Sequence, residues 1–266
     1  MDIDLMTLVY FSPTRTTRRI VEGVAMGLRA PEVQIIDLTP AEAARQTFPA
    51  NPRGLTVIGS PVYAGRIPAD MVARFRNIKG CGEAAVVLVT YGNRAYEDAL
   101  LELRDLALNA GFQPIAAGAF IGEHSYSQET TPIALGRPDL ADIEEAAAFG
   151  ERVREKLRRI SSLGLAPPIQ VPGNFPYKES GLASGIAPAT DAARCNGCGE
   201  CIALCPVGAI SADDPCQVHP DTCIRCCACV KFCPTGAKAM DHAKINQFRE
   251  YLTLNHKAPK KPEIYL

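Results

Sequence analysis

The first half of the chain is punctuated by continuous apolar runs rich in β-branched residues. They are LMTLVYF (5–11), LTVIGS (55–60), AAVVLVTY (84–91) and PIAAGAFIG (114–122), with a shorter VQIIDL at 33–38. Runs of this kind predict strands buried on both faces, as in a parallel sheet. Between them the apolar period changes to that of a helix. Residues 16–30 put Ile20, Val24 and Leu28 on one face, and residues 95–111 repeat Leu at helical spacing as far as Gly111. A third pattern runs from Pro138 to Ile160 with acids early and bases late, which suits the helix dipole. Five strands alternating with helices predict an α/β domain with a doubly wound sheet over residues 1–161.

Residues 162–190 break this rhythm. Pro167, Pro168, Pro172, Pro176 and Pro188 alternate with Gly164, Gly173, Gly181 and Gly185, a composition that predicts a linker. Phe175 and Tyr177 could pin it to a neighbouring domain. Beyond it lies an internal repeat: CNGCGECIALCPVGA (195–209) recurs as CIRCCACVKFCPTGA (223–237), 28 positions on. Two similar half-domains within a second unit, 191–243, are expected. Residues 244–266 hold five Lys or Arg against two Glu and read as a basic tail.

Composition narrows the function classes. The chain is 47% hydrophobic and 21% charged with a formal net charge of −1, so neither disorder nor bulk electrostatic binding of nucleic acid is indicated. The opening apolar run is too short to span a membrane and lacks the basic start of a secretory signal, so a soluble, cytoplasmic protein without a membrane span is expected. Cysteine is the outlier, with ten of eleven between Cys195 and Cys233. An odd, locally crowded set is a poor disulfide framework for a chain able to build a core.

Each copy of the repeat reads C-x2-C-x2-C-x3-C-P, the run of bacterial ferredoxins, in which the fourth cysteine serves the neighbouring cluster. Applied here, Cys195, Cys198 and Cys201 join Cys233 around one [4Fe–4S] cluster, and Cys223, Cys226 and Cys229 join Cys205 around the other. Paired zinc sites are the alternative that C-x2-C spacing permits, but three ligands in such close succession, then a prolyl fourth, twice over, favour iron–sulfur cubes. A radical-generating C-x3-C-x2-C would need cysteine where Gly208 and Gly236 stand. Cys81, Cys216 and Cys227 fall outside the pattern and read as small buried fillers.

The turn after the first strand, FSPTRTTRRI (11–20), crowds Ser12, Thr14, Thr16 and Thr17 against a helix start, the chemistry of an anion site. No G-x-G-x-x-G follows a strand and no G-x-x-x-x-G-K-[ST] is present, which leaves dinucleotides and nucleoside triphosphates without support. The S-x-T-x-T-T spacing resembles the flavodoxin phosphate loop, [ST]-x-T-G-x-T. Ser12, Thr14 and Thr17 match, Thr16 takes the free position, and Arg15 replaces the glycine. Plain helix capping is the competing role for these hydroxyls. The resemblance implies a flavodoxin-like sheet of order 2-1-3-4-5 that binds FMN at the carboxyl ends of strands one, three and four. It further implies that Pro61, Val62, Tyr63, Ala64 and Gly65 line one side of the ring system, and Tyr91, Gly92 and Asn93 the other. Tyr63 and Tyr91 would be the flanking rings, and Asn93 would approach the pyrimidine edge.

The chain as a whole, including FIGEHSYS (120–127) and GRPD (136–139), resembles the flavodoxin–ferredoxin fusion family, the EFR-type ferredoxins. That resemblance implies a small α+β ferredoxin-like domain after the sheet, and an electron-transfer iron–sulfur flavoprotein that links one-electron ferredoxin chemistry to flavin chemistry. Its partner would be a redox protein donor or acceptor, a small-molecule acceptor, or both. Two alternatives stay open. One is an FMN-dependent oxidoreductase acting on a quinone, corrinoid, disulfide or nitro compound, with His124, Ser125 and Tyr126 near the proton supply. The other is an FMN-free scaffold. No catalytic residue is assigned, since a loop histidine more often simply packs. Arg225 and Lys231 could offset the negative charge of the thiolate-bound clusters or dock an acidic partner, with solvated surface charge as the simpler role.

Overall fold

The computed structural model describes residues 3–45, 54–160, 163, 169–181 and 185–266. Five parallel strands, β1 (Leu5–Tyr10), β2 (Glu32–Asp37), β3 (Gly54–Pro61), β4 (Ala84–Tyr91) and β5 (Gln113–Ile121), lie in the order β2-β1-β3-β4-β5. This is the flavodoxin-like doubly wound order. The long apolar runs became β3 and β4 because both are buried along their whole length. The shorter run became the edge strand β2, where Val33 and Ile35 stay half exposed.

Helices cover both faces. α1 (Thr16–Leu28) and α4 (Leu140–Arg159) pack Ile20, Val24, Phe149 and Val153 against Met6, Leu8 and Tyr10. α2 (Ala69–Phe75) and α3 (Ala99–Asn109) pack Met71, Phe75, Leu100 and Leu103 against Val9, Ile58 and Val87. α1 and α4 meet backbone to backbone, since a side chain at Gly27 would strike the Ala147 carbonyl and one at Gly150 the Val24 carbonyl. Asp139 and Asp142 cap α4 reciprocally, at 3.0 and 2.8 Å, while Asp142 also pairs with Arg137.

The cysteine repeat folds as two matching halves. α5 (Glu200–Ala203) and α6 (Ala228–Lys231) hold equivalent places in the two copies, and β6 (Ala189–Thr190) pairs with β7 (Lys238–Ala239). Of the linker, the described residues 169–181 are fastened down. Asp98 accepts the backbone N–H groups of Asn174 and Lys178, both at 2.8 Å. The Tyr177 hydroxyl donates to Asp105 at 2.7 Å beneath the Arg66 guanidinium. Phe175, the other expected pin, is 78% exposed.

The expected basic tail is instead ordered structure. α7 (Ala243–Asn255) packs on the cysteine domain through Ile245, and β8 (Glu263–Tyr265) adds an antiparallel sixth strand beside β5. Tyr96 fixes β8, its hydroxyl donating to Glu263 at 2.7 Å and lying 2.9 Å from the Tyr265 hydroxyl. The two domains are docked by charged groups. Arg74, buried under the sheet, donates to the carbonyls of Leu38, Thr39 and Pro40 and also to Pro206 of the cysteine domain. Lys231 pairs with Glu123, and Arg249 donates to the Tyr126 carbonyl at 2.8 Å. Arg225 is buried as well, so neither it nor Lys231 is the solvated charge that sequence suggested. Among the described residues no helix is long and apolar enough to cross a membrane.

Candidate functional site: one large cavity beside two cysteine quartets

A cavity of about 320 Å³ lies at the carboxyl ends of β1, β3 and β4, where the strand order reverses. Thr14, Thr16, Pro61, Val62, Tyr63, Ala64, Gly65, Tyr91 and Gly92 line it. Gly65 takes φ 81°, and a side chain there would collide with the Glu97 carboxylate. Four expected residues have other positions. The Ser12 hydroxyl accepts the Arg18 N–H at 3.0 Å, so it caps α1. Arg15 turns away, its guanidinium 4.5 Å from the ring centre of Phe232 in the cysteine domain. Thr17 lies behind the wall, fully buried, with its Oγ1 unpartnered. Asn93 ties down the C-terminal segment: its amide donates to the carbonyls of His256 and Ala258 at 2.6 and 2.9 Å and accepts the Lys260 N–H at 3.1 Å.

More of the wall comes from the loop after β5, where sequence sets His124, Ser125 and Tyr126 near the proton supply of the oxidoreductase alternative and gives Glu123 no role. Ile224 and Arg225 from the cysteine repeat and Lys244, Ile245 and Phe248 from α7 are not assigned to it by sequence. The position of FIGEHSYS at the end of a strand is what brings that loop into the sequence reading, whereas nothing in α7 announces a cavity wall. His124 is pushed down to about 4 by burial and then by Lys231, Arg94 and Arg249. It is therefore neutral at pH 7. Its Nδ1 accepts the Tyr126 N–H at 3.0 Å, which leaves the ring proton on Nε2. Burial pushes the Tyr91 and Tyr126 hydroxyls up to about 12. Burial and the neighbouring Cys226 and Cys227 sulfurs raise Tyr63 further. All three phenols stay protonated. Among the described residues, Thr90 Oγ1 and Arg225 Nε of the lining find no partner, nor does Thr17 Oγ1 behind it.

The eight cysteines of the repeat separate into two groups that cross between its copies. Cys195, Cys198, Cys201 and Cys233 line one small cavity; Cys205, Cys223, Cys226 and Cys229 line another. The copies also share their sulfur bonds, since the Ala209 N–H points at Cys205 Sγ and the Ala237 N–H at Cys233 Sγ, each at 3.2 Å. Cys226 is buried in the second group, and Cys198 is exposed in the first. Ile224 lines both the second cysteine cavity and the large cavity. The Lys238 ammonium, buried, donates to Thr190 Oγ1 and the Pro215 carbonyl at 2.7 and 2.5 Å beside the first group. Of the three remaining cysteines only Cys227 is a buried filler. Cys81 is exposed and Cys216 is half-buried next to Cys195.

Two family models described as "4Fe-4S binding domain" match residues 188–211 and 220–236. Curated protein sequences yield no match. Among solved structures, the chain is similar to a flavodoxin from the domain Archaea, at 15% identity and a TM-score of 0.37, covering 58% of this chain and 99% of that one. It is also similar to a Streptococcus pneumoniae flavodoxin, at 17% identity and a TM-score of 0.38, covering 57% and 99%. A flavodoxin, WrbA-like protein from Agrobacterium tumefaciens gives 15% identity and a TM-score of 0.37, covering 59% and 98%. Strand order, sulfur grouping and the two matched segments together make this chain a flavodoxin-like α/β domain fused to a tandem of 4Fe-4S binding segments.

Proposed function

We propose that the chain is an electron-transfer iron–sulfur flavoprotein with FMN in the large cavity and one [4Fe–4S] cluster in each cysteine quartet. Cys195, Cys198, Cys201 and Cys233 hold the outer cluster, and Cys205, Cys223, Cys226 and Cys229 the inner one. When bound, the clusters supply one-electron exchange and the flavin one- or two-electron exchange. The residues present suit these groups. Thr14 and Thr16 offer hydroxyls at a helix start for a phosphate, Tyr63 and Tyr91 offer rings, and the unpartnered Thr90 Oγ1 and Arg225 Nε of the lining are polar atoms that still need a partner. Burial holds the Cys226 and Cys229 thiols up, so loading the inner quartet releases protons.

The observation that carries the reading is Ile224. One side chain forms part of both the inner-quartet cavity and the large cavity, so the two cofactors would sit on either side of it. The exposed Cys198 places the outer quartet at the surface, where a redox protein can reach it. Electrons would therefore travel between surface, outer quartet, inner quartet and flavin. Relay chemistry is favoured over reduction of a small acceptor because α7 closes one side of the cavity. In addition, His124, neutral at pH 7, is a poor acid.

Protein purified without oxygen should be brown, with about eight irons and about one FMN per chain. It should exchange electrons with a protein carrier faster than with small acceptors. Zinc in place of iron, or iron without flavin, overturns the proposal.

A further inference from the structure

Arg225 breaks the symmetry of the cysteine repeat. In the 28-residue alignment CNGC (195–198) faces CIRC (223–226), so Arg225 stands where the first copy has Gly197, and Cys227 where it has Gly199. All four keep the left-handed backbone, with φ of 70° and 74° at the glycines and 56° and 61° at Arg225 and Cys227. The first copy reaches this region with glycine, free of steric penalty; the second holds it with side chains against their own backbone. Cys227 has an evident role, for it fills the small core with Ile186, Met240 and Ile245. Within the cysteine domain Arg225 directs its backbone N–H at Cys223 Sγ at 3.4 Å, a bond that any residue at this position could make. It is 7% exposed, lines the large cavity, and leaves Nε without a hydrogen bond. A strained, desolvated cation with an unmade bond is a net cost unless an electron-rich group lies opposite.

We infer that Arg225 is the anion-stabilising residue of the large cavity and electrostatically links it to the inner quartet. This rests on the FMN reading above. Arg225 lies between two inner-quartet cysteines in sequence and faces the cavity in space, so one positive charge favours an added electron on either cofactor. Its own N–H points at Cys223 Sγ of the inner quartet at 3.4 Å, and it neighbours none of the outer-quartet cysteines in sequence, so it should raise both reduction potentials and leave the outer quartet little affected.

Potentiometric titration of the holoprotein tests this, following flavin by absorbance and the clusters by low-temperature paramagnetic resonance. Arg225→Gly, which copies Gly197 and relieves the backbone, should retain iron and is titrated with FMN added to saturation. Its flavin and inner-cluster midpoints should shift down together while the outer-cluster midpoint stays. Arg225→Lys should recover part of the shift. Should the glycine variant lose iron, Arg225→Gln against Arg225→Lys gives the same comparison, with the fall confined to the glutamine variant. Midpoints that do not move, or an outer cluster that moves as far as the inner, overturn the inference and leave the FMN reading standing. A wild-type protein with iron but no FMN overturns both.

Discussion

At the scale of single residues, His124 gives the molecule a measurable pH signature. The unfolded chain takes up this proton near 6.5 and the folded chain near 4, because burial and the cations Lys231, Arg94 and Arg249 oppose the charged ring. Between those values the unfolded state binds more protons, so stability is full above about pH 6.5 and declines as pH falls toward 4. From pH 7.5 to pH 5 the contribution lost is about 2 kcal/mol. Denaturant unfolding at the two pH values should show that loss in the wild type and a correspondingly smaller one in His124→Gln. An equal loss in both would show that this ring stays solvated.

At the scale of elements, the C-terminal segment depends on a residue that sequence had assigned to ligand binding. Asn93 makes three hydrogen bonds to the backbone at 256–260, and Tyr96 holds β8. At about 1 kcal/mol for each bond, Asn93→Ala should weaken attachment of this segment by about 2–3 kcal/mol. Trypsin cleavage after Lys257 or Lys260 should then quicken by roughly 10²-fold, since proteolysis follows the open population. Unchanged cleavage would mean that β8 alone secures the end. The contrast with the rest of the fold is physical. β3, β4 and the main helices were legible because a fully buried element writes its period over many positions. The grouping of the eight cysteines was legible because their spacing is short and fixed and the repeat states it twice. β8 has three residues, too few for a period, and the partners of Asn93 lie more than 160 positions away. Arg225 and Lys231 looked like ordinary surface charge because only tertiary docking takes them out of water.

At the scale of the whole molecule, the two domains have to stay docked for the proposed relay to work. Two cations bear much of that contact near the cavity: Lys231 of α6, paired with Glu123 and 3.0 Å from the Ser127 carbonyl, and Arg249 of α7, on the Tyr126 carbonyl. Both reach the same loop after β5, which itself forms cavity wall. Charged hydrogen bonds that are partly shielded from water contribute about 2 kcal/mol apiece, so Lys231→Met with Arg249→Met should weaken docking by about 4 kcal/mol. That is roughly a 10³-fold fall in the docked-to-undocked ratio. The cysteines are untouched, so iron content should stay near wild type, and FMN, part of whose cavity wall comes from the cysteine repeat and α7, is added to saturation. Electron delivery from a chemically reduced outer cluster to the flavin, followed by stopped-flow absorbance, should slow markedly. The single variants should fall between, with Arg249→Met also disturbing α7 through its bond to the Met240 carbonyl. If the double variant keeps both cofactors and the wild-type transfer rate, docking by these cations is not what holds the flavin cavity against the inner quartet. Arg74 and its bond to the Pro206 carbonyl would then carry the interface from the opposite side of the sheet.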